Sequence, residues 1–137
     1  MGKARAGKGT QCGAASPLSD RRSVPGRFLV PGILLLLGEE PMHGYALLDK
    51  LVELGVAERR LPLPIIYREL LQMEGKKLVG FKFARHEGRG PARKVYHLTE
   101  KGRRELCAWA ERMLEVRRFA DEFRARCEEL RRTGALA

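Results

Sequence analysis

Four groups of residues in this 137-residue chain have types and spacings that suggest chemistry. The first, Gly7-Lys8-Gly9-Thr10-Gln11-Cys12, imitates the phosphate loop of nucleotide kinases, with Gly2 five residues earlier. Such a loop must leave a buried strand and open a helix, and here only Met1 precedes Gly2, so no phosphate cradle is expected. The second group is Cys12, Cys107, Cys127, His43, His86 and His97, which show no paired CxxC and no ligand spacing. The cysteines read as reduced thiols, and no metal or other cofactor is expected. No nucleophile with a base, and no carboxylate pair, stands out, so the chain does not read as an enzyme. The third group is cationic: Lys76, Lys77, Lys82, Arg85, Arg89, Arg93 and Lys94 against Glu87 alone, a local balance of +6. The fourth is a long apolar repeat that contains Trp109, the only tryptophan.

The cationic group dominates the electrostatics. Lys and Arg number 27 against 17 Asp and Glu, for a formal charge of +10. Residues 1–30 carry +5, so this segment and residues 76–94 together account for the whole excess. A polyanion is the natural partner of such a surface. Hydrophobic residues at 44% exclude disorder throughout the chain. The longest apolar run, Phe28 to Leu37, spans ten positions and contains Pro31 and Gly32. A spanning helix needs about 20 apolar residues, so no membrane segment is expected. The first 26 residues lack the apolar stretch of a secretory signal, and a cytoplasmic location is expected.

These side chains need elements to hold them. Residues 1–27 mix Gly, Ala, Ser, Pro and basic residues without periodicity and read as a mobile basic arm. A short buried helix is predicted over 31–37, with Pro31 in its first turn and Gly38 closing it. A second runs from His43 to Leu54, because Leu47, Leu48, Leu51 and Leu54 keep three-four spacing, and Gly55 ends it. His43 is expected to cap this helix, and Gly44 to let it pack closely on a neighbour. A third starts at Pro64 and reaches Met73 or Gly75, burying Ile66, Leu70 and Met73 and turning Ile65, Tyr67, Arg68, Glu69 and Gln72 to solvent. Val79, Phe81 and Phe83 alternate with small or basic residues and predict a strand over 78–85. His86 to Pro91 supplies a turn, and residues 93–98 return as its partner.

Thr99 then caps a long helix to about Arg131, with Glu100 at its positive end. Its apolar positions Leu106, Trp109, Met113, Val116, Ala120, Phe123, Cys127 and Leu130 alternate spacings of three and four, a heptad seam. With Met113 and Ala120 at a, the flanking positions include Arg112, Arg117, Arg124, Arg126 and Arg131. Two such helices alone would set arginine against arginine. The helix is therefore expected to pack also on the first helix of a partner chain, with Leu114 and Phe119 widening the stripe.

The fold class is thus mainly α with a small β-hairpin: a winged helix-turn-helix over 28–98 followed by a dimerisation helix over 99–132. In that order of elements the third helix enters the major groove and the cationic hairpin flanks it along the backbone. Candidate DNA contacts are Ile65, Tyr67, Arg68 and Gln72 on the helix and Lys82, Arg89, Arg93 and Lys94 on the wing. Arg93 could instead be pinned structurally. Candidate dimer contacts are Leu106, Trp109, Met113, Val116, Phe119, Ala120 and Phe123. The competing reading is an architectural winged-helix protein that holds nucleic acid without sequence preference.

Three blocks resemble the PadR family of bacterial transcriptional regulators: Pro41-Met42-His43-Gly44-Tyr45-Ala46-Leu47-Leu48, Ile66-Tyr67-Arg68-Glu69-Leu70, and Gly90-Pro91-Ala92-Arg93-Lys94-Val95-Tyr96-His97-Leu98-Thr99-Glu100-Lys101-Gly102. The likeness covers about residues 28–117. It implies a homodimeric repressor that binds a double-stranded DNA operator and whose long C-terminal helices dimerise. A small-molecule or polymer effector, where there is one, binds near the dimer interface, and Trp109 is the candidate platform for it. Leu29-Val30-Pro31, Gln72-Met73-Glu74 and Trp109-Ala110-Glu111 look most like the branch responsive to polyhydroxybutyrate. Two departures stand out. Leu61-Pro62-Leu63-Pro64 lacks the Ser, Thr or Gly common before the third helix, and Lys77 stands where Gly is usual before the first wing strand.

Overall fold

The computed structural model describes residues 28–84 and 92–136. The expected basic arm and wing turn lie outside the described residues, and with them Cys12, Arg85, His86 and Arg89. The order of elements is α1 (Leu29–Glu39), α2 (Gly44–Leu54), α3 (Leu63–Gly75), β1 (Val79–Ala84), β2 (Arg93–Leu98) and α4 (Glu100–Arg132). The architecture is mainly helical with one antiparallel hairpin, as the sequence predicts.

Helix α1 is longer than expected at both ends. Pro31 falls in its first turn, where a missing N–H costs nothing. Gly38 does not close the helix but lies inside it. A Cβ there would stand 2.9 Å from Leu106 Cδ2, so this glycine is the contact at which α4 crosses α1. In α2, His43 is the N-cap, its Nδ1 accepting the Ala46 N–H at 3.3 Å, and Gly55 closes the helix at φ 95°. Leu47, Leu48 and Leu51 are buried as predicted, but Leu54 is exposed. It occupies the last turn, beside the α1–α4 groove, where no element of the described chain covers it.

Helix α3 begins at Leu63, one residue before the expected Pro64, with Pro62 as an N-cap that makes no side-chain hydrogen bond, in keeping with the missing hydroxyl. Its end satisfies two carbonyls in a Schellman arrangement: Leu78 N–H donates to Met73 O at 2.9 Å and Lys77 N–H to Glu74 O at 3.0 Å. Lys77 adopts φ 66°, the left-handed geometry for which glycine is usual at this position.

In the hairpin, Val79 pairs with Leu98, Phe81 with Tyr96 and Phe83 with Lys94, which puts these six on one face. Lys82 opposite Val95 and Ala84 opposite Arg93 form the other. Burial falls toward the outer end: Val79, Tyr96 and Leu98 are buried, while Phe83 and Lys94 are exposed. Met42 extends the sheet by exchanging both backbone hydrogen bonds with Tyr96, at 3.1 and 2.9 Å. The core unites Ile33 and Leu34 of α1, Leu47 and Leu51 of α2, and Ile66, Leu70 and Met73 of α3, with the hairpin base beneath them.

Helix α4 leaves this body abruptly. Thr99 Oγ1 accepts the Gly102 N–H at 3.0 Å and donates to the Lys77 carbonyl at 2.6 Å, while its own N–H donates to Leu78 O. Gly102 is the one buried residue of the helix, and a Cβ on it would lie 2.1 Å from Leu78 O. Gly102→Ala should therefore lower the stability of the chain by about 3 kcal/mol, because the obstacle is backbone and cannot swing aside. Lys77→Gly should raise it by roughly 0.5–1 kcal/mol, the relieved left-handed strain outweighing the extra freedom of the unfolded chain. Urea denaturation checks both; unchanged midpoints contradict the account of this joint.

Candidate nucleic-acid interface

The outward face of α3 follows from helix geometry. With Ile66, Leu70 and Met73 buried, Tyr67, Arg68, Leu71 and Gln72 fall on the far side and are exposed. Ile65, expected to face solvent, is half-buried, as is Glu69. Both lie on the flank next to the buried stripe. Arg68 makes no hydrogen bond or ion pair among the described residues and is available to a ligand.

Tyr67 is held from behind. Its ring lies 3.1 Å from where a Gly44 Cβ would be, so the absence of a side chain at the first residue of α2 lets α3 approach with its tyrosine. Between this contact and β2 runs a cleft of about 450 Å³, lined by His43, Tyr45, Tyr67, Phe83, Ala92, Arg93, Lys94 and Tyr96. Arg93 Nη1 stands 3.3 Å from His43 Nε2, which brings the wing strand against the N-terminus of α2; the imidazole has one acceptor nitrogen, so it accepts from either Ala46 or Arg93, not both. Lys94 Nζ sits 4.2 Å from the centroid of Phe81. Burial, and then the neighbouring Tyr67 and Glu74, raise the pKa of the Tyr96 phenol, so it stays neutral. Among the described residues no carboxylate lines the cleft, and its charged members, Arg93 and Lys94, are both cations.

The structure thus brings Tyr67, Arg93 and Lys94 together around one cleft, with Arg68 and Gln72 farther around α3. Lys82 is exposed on the opposite face of the hairpin, and Arg89 lies outside the described residues. Sequence reading missed Tyr45, Leu71 and Phe83. Leu71 is 68% exposed and lies one turn beyond Tyr67, a position that the three-four spacing identifies as outward. Phe83 marks the point where the alternating strand outruns the core.

Along α4 the predicted seam divides in two. Leu106, Trp109 and Met113 are half-buried, with Trp109 edge-on to Phe28 at 6.3 Å and the Arg112 guanidinium 4.3 Å from its ring centroid. Beside them lies an apolar groove of about 390 Å³ between α1 and α4, bordered by Leu35, Leu54 and Val56. Farther out nothing in the described chain covers the helix. Val116 and Ala120 are exposed, Phe119 is 69% and Phe123 56% exposed, and Leu114 and Leu130 lie open beside them. The flanking arginines are less bare than their positions suggest. Arg117 lies 3.9 Å from Asp121, Arg126 2.7 Å from Glu122 and Arg131 2.8 Å from Glu128. Among the described residues no cluster of His, Cys, Asp or Glu could hold a metal, and no helix is long and apolar enough to cross a membrane.

Three short helices, a hairpin braced against the second and third of them, and a long trailing helix define a winged helix-turn-helix protein of the DNA-binding kind. The sequence model of the transcriptional regulator PadR-like family matches residues 33–108, more than half of the chain, and the chain belongs to that family. It is a DNA-binding transcriptional regulator, as the family is. Regulators of this family bind DNA operators and typically act as dimers. Among solved structures, the chain is similar to a PadR-like transcriptional regulator from Bacillus cereus, with 29% identity and a TM-score of 0.62 over 71% of this chain and 91% of that one. It is similar also to a putative transcriptional regulator from Thermoplasma acidophilum, at 27% identity and TM-score 0.60 over 73% and 91%. A PadR-like transcription factor from Bacteroides fragilis shares the fold at 24% identity and TM-score 0.61 over 72% and 91%. No curated protein matches the sequence.

Proposed function

We propose that this chain is a ligand-responsive repressor that grips a pseudo-palindromic operator as a homodimer, each head reading one half-site with α3 while the wing holds the flanking backbone. The observation that carries this reading is the uncovered stripe of α4. A helix of 33 residues is about 50 Å long, and its outer half exposes Leu114, Phe119, Phe123 and Leu130, which no other described element covers. A second copy, contributing the same stripe across a two-fold axis, covers it and presents two basic heads to one duplex. The groove between α1 and α4 is continuous with that stripe and suits the additional contact with the partner's helix that the flanking arginines call for.

Within the heads, Tyr67, Arg93 and Lys94 serve the phosphates, while Arg68 and Gln72 are placed to reach base edges. Ile65, half-buried, is at most a marginal apolar contact, and Arg89 would add a phosphate contact from the wing turn. An effector near Trp109 would shift the angle between heads and so the operator affinity. The lining of the groove is apolar throughout and suits an aliphatic ester chain such as an oligomer of hydroxybutyrate, in keeping with the likeness to the polyhydroxybutyrate-responsive branch. The work of such a repressor is done in the cytoplasm.

Genomic fragments that co-purify with the chain supply the operator. On it, the preference over random competitor duplex at fixed salt should reach at least about 10³, whereas an architectural binder shows none. Arg68→Ala should relax specificity at one or two base pairs, while Lys82→Ala weakens all sequences alike and flattens the salt slope by about 0.9. Phe119→Glu should leave the heads folded but convert the dimer to a monomer with at least about tenfold weaker operator binding. Sedimentation and gel shift at matched salt read both, and a dimer that survives places the interface elsewhere. Titration with a hydroxybutyrate oligomer should alter Trp109 fluorescence and release operator; silence in both signals removes this effector class.

A further inference from the structure

Resting on the reading of this face as a duplex-gripping surface, we infer that Phe83 is an apolar DNA contact of the wing: its ring packs on a deoxyribose between backbone phosphates held by Arg93 and Lys94, and contributes affinity independent of sequence. Phe83 is 64% exposed, although it stands in the alternating row whose inner members, Val79 and Phe81, lie against the body. Its ring is fixed rather than free, meeting Phe81 edge-on with centroids 5.4 Å apart and an interplanar angle of 84°. Cross-strand pairing sets it opposite Lys94, one residue from Arg93, and it faces the cleft shared with Tyr45 and Tyr67. Three exposed aromatic rings beside two cations, with no carboxylate among the described lining residues, match a ligand that alternates anionic and apolar groups at short range. A nucleic-acid strand does so, phosphate then sugar, whichever bases it carries.

A second copy of the chain fits this cleft poorly. Two-fold pairing would bring Arg93 and Lys94 against their own copies, and α4 offers a longer apolar surface without that repulsion. Phenylalanine neutralises no phosphate, so its contribution is separable from that of the cations. It should change the strength of binding and leave the number of counterions released as it was.

The test is titration of a labelled duplex of arbitrary sequence with the full chain over a series of salt concentrations. Phe83→Ala should bind about tenfold more weakly at every concentration, with the slope of the wild-type chain and an unchanged urea midpoint and sedimentation behaviour. Phe83→Tyr, which keeps the ring, should bind like wild type. Phe83→Ala binding with wild-type strength overturns the inference and leaves the DNA-binding reading standing. Weakening that comes with an altered salt slope or an altered oligomeric state overturns it as well, since the residue then acts through charge placement or self-association. A wild-type chain indifferent to duplex at low salt removes the reading itself.

Discussion

The contact between the first turn of α4 and the carbonyl of Leu78 is the constraint on which the rest of this molecule depends. Thr99 bonds to the backbone at Lys77 and Leu78, and Gly102 lies so close to Leu78 O that no side chain fits between them. Residues 77 and 78 also join the end of α3 to the wing, so α3, proposed to read the duplex, the wing, proposed to grip its backbone, and the long helix meet at one joint. In the proposed repressor, a tilt of α4 imposed at its outer end would reach α3 through this joint, which has no soft side chain in it.

Charge is distributed to match. Residues 76–94 around the wing carry +6, and among the described residues no acid lines the cleft around Arg93 and Lys94, while α3 itself sets Arg68 against Glu69 and Glu74, with Arg68 making no ion pair among the described residues. On α4 three of the arginines flanking the seam, Arg117, Arg126 and Arg131, have carboxylates within about one helical turn, at Asp121, Glu122 and Glu128, and Arg112 reaches Glu105 two turns back. Such exposed pairs are worth only about 0.3–0.5 kcal/mol each, but they lessen the repulsion that the heptad arithmetic alone foresees.

Most of this was legible in the chain because period and punctuation agree. Leu47, Leu48 and Leu51, the Thr99 cap and the alternation of Val79 and Phe81 each follow from local rules, while the unusual Lys77 follows only from the likeness to the family. What escaped was tertiary. Gly38 reads as a helix stop from its neighbours and turns out to be the crossing point with Leu106, 68 positions further along the chain and invisible to any local window. Leu54 keeps the three-four spacing yet ends beside an open groove. Phe83 and Leu71 look like core residues by type, and only the placement of the body against α3 and the hairpin shows that they stand in solvent on the face where Tyr67 and Lys94 converge. Arg93 was ambiguous between clamp and strut, and its contact with His43 gives it a structural anchor beside the cleft.

The central claim is that one rigid surface of α3 and wing is presented twice, at a separation fixed by α4. Operator geometry tests this most directly: affinity measured on the natural site and on one with half a helical turn of duplex inserted between its half-sites. A rigid pair of heads cannot follow the rotated half-site, so the account predicts a fall of at least about 10²-fold, recovered in part when a full turn is inserted. Equal affinity for all three duplexes would mean that the heads act independently, and would contradict it.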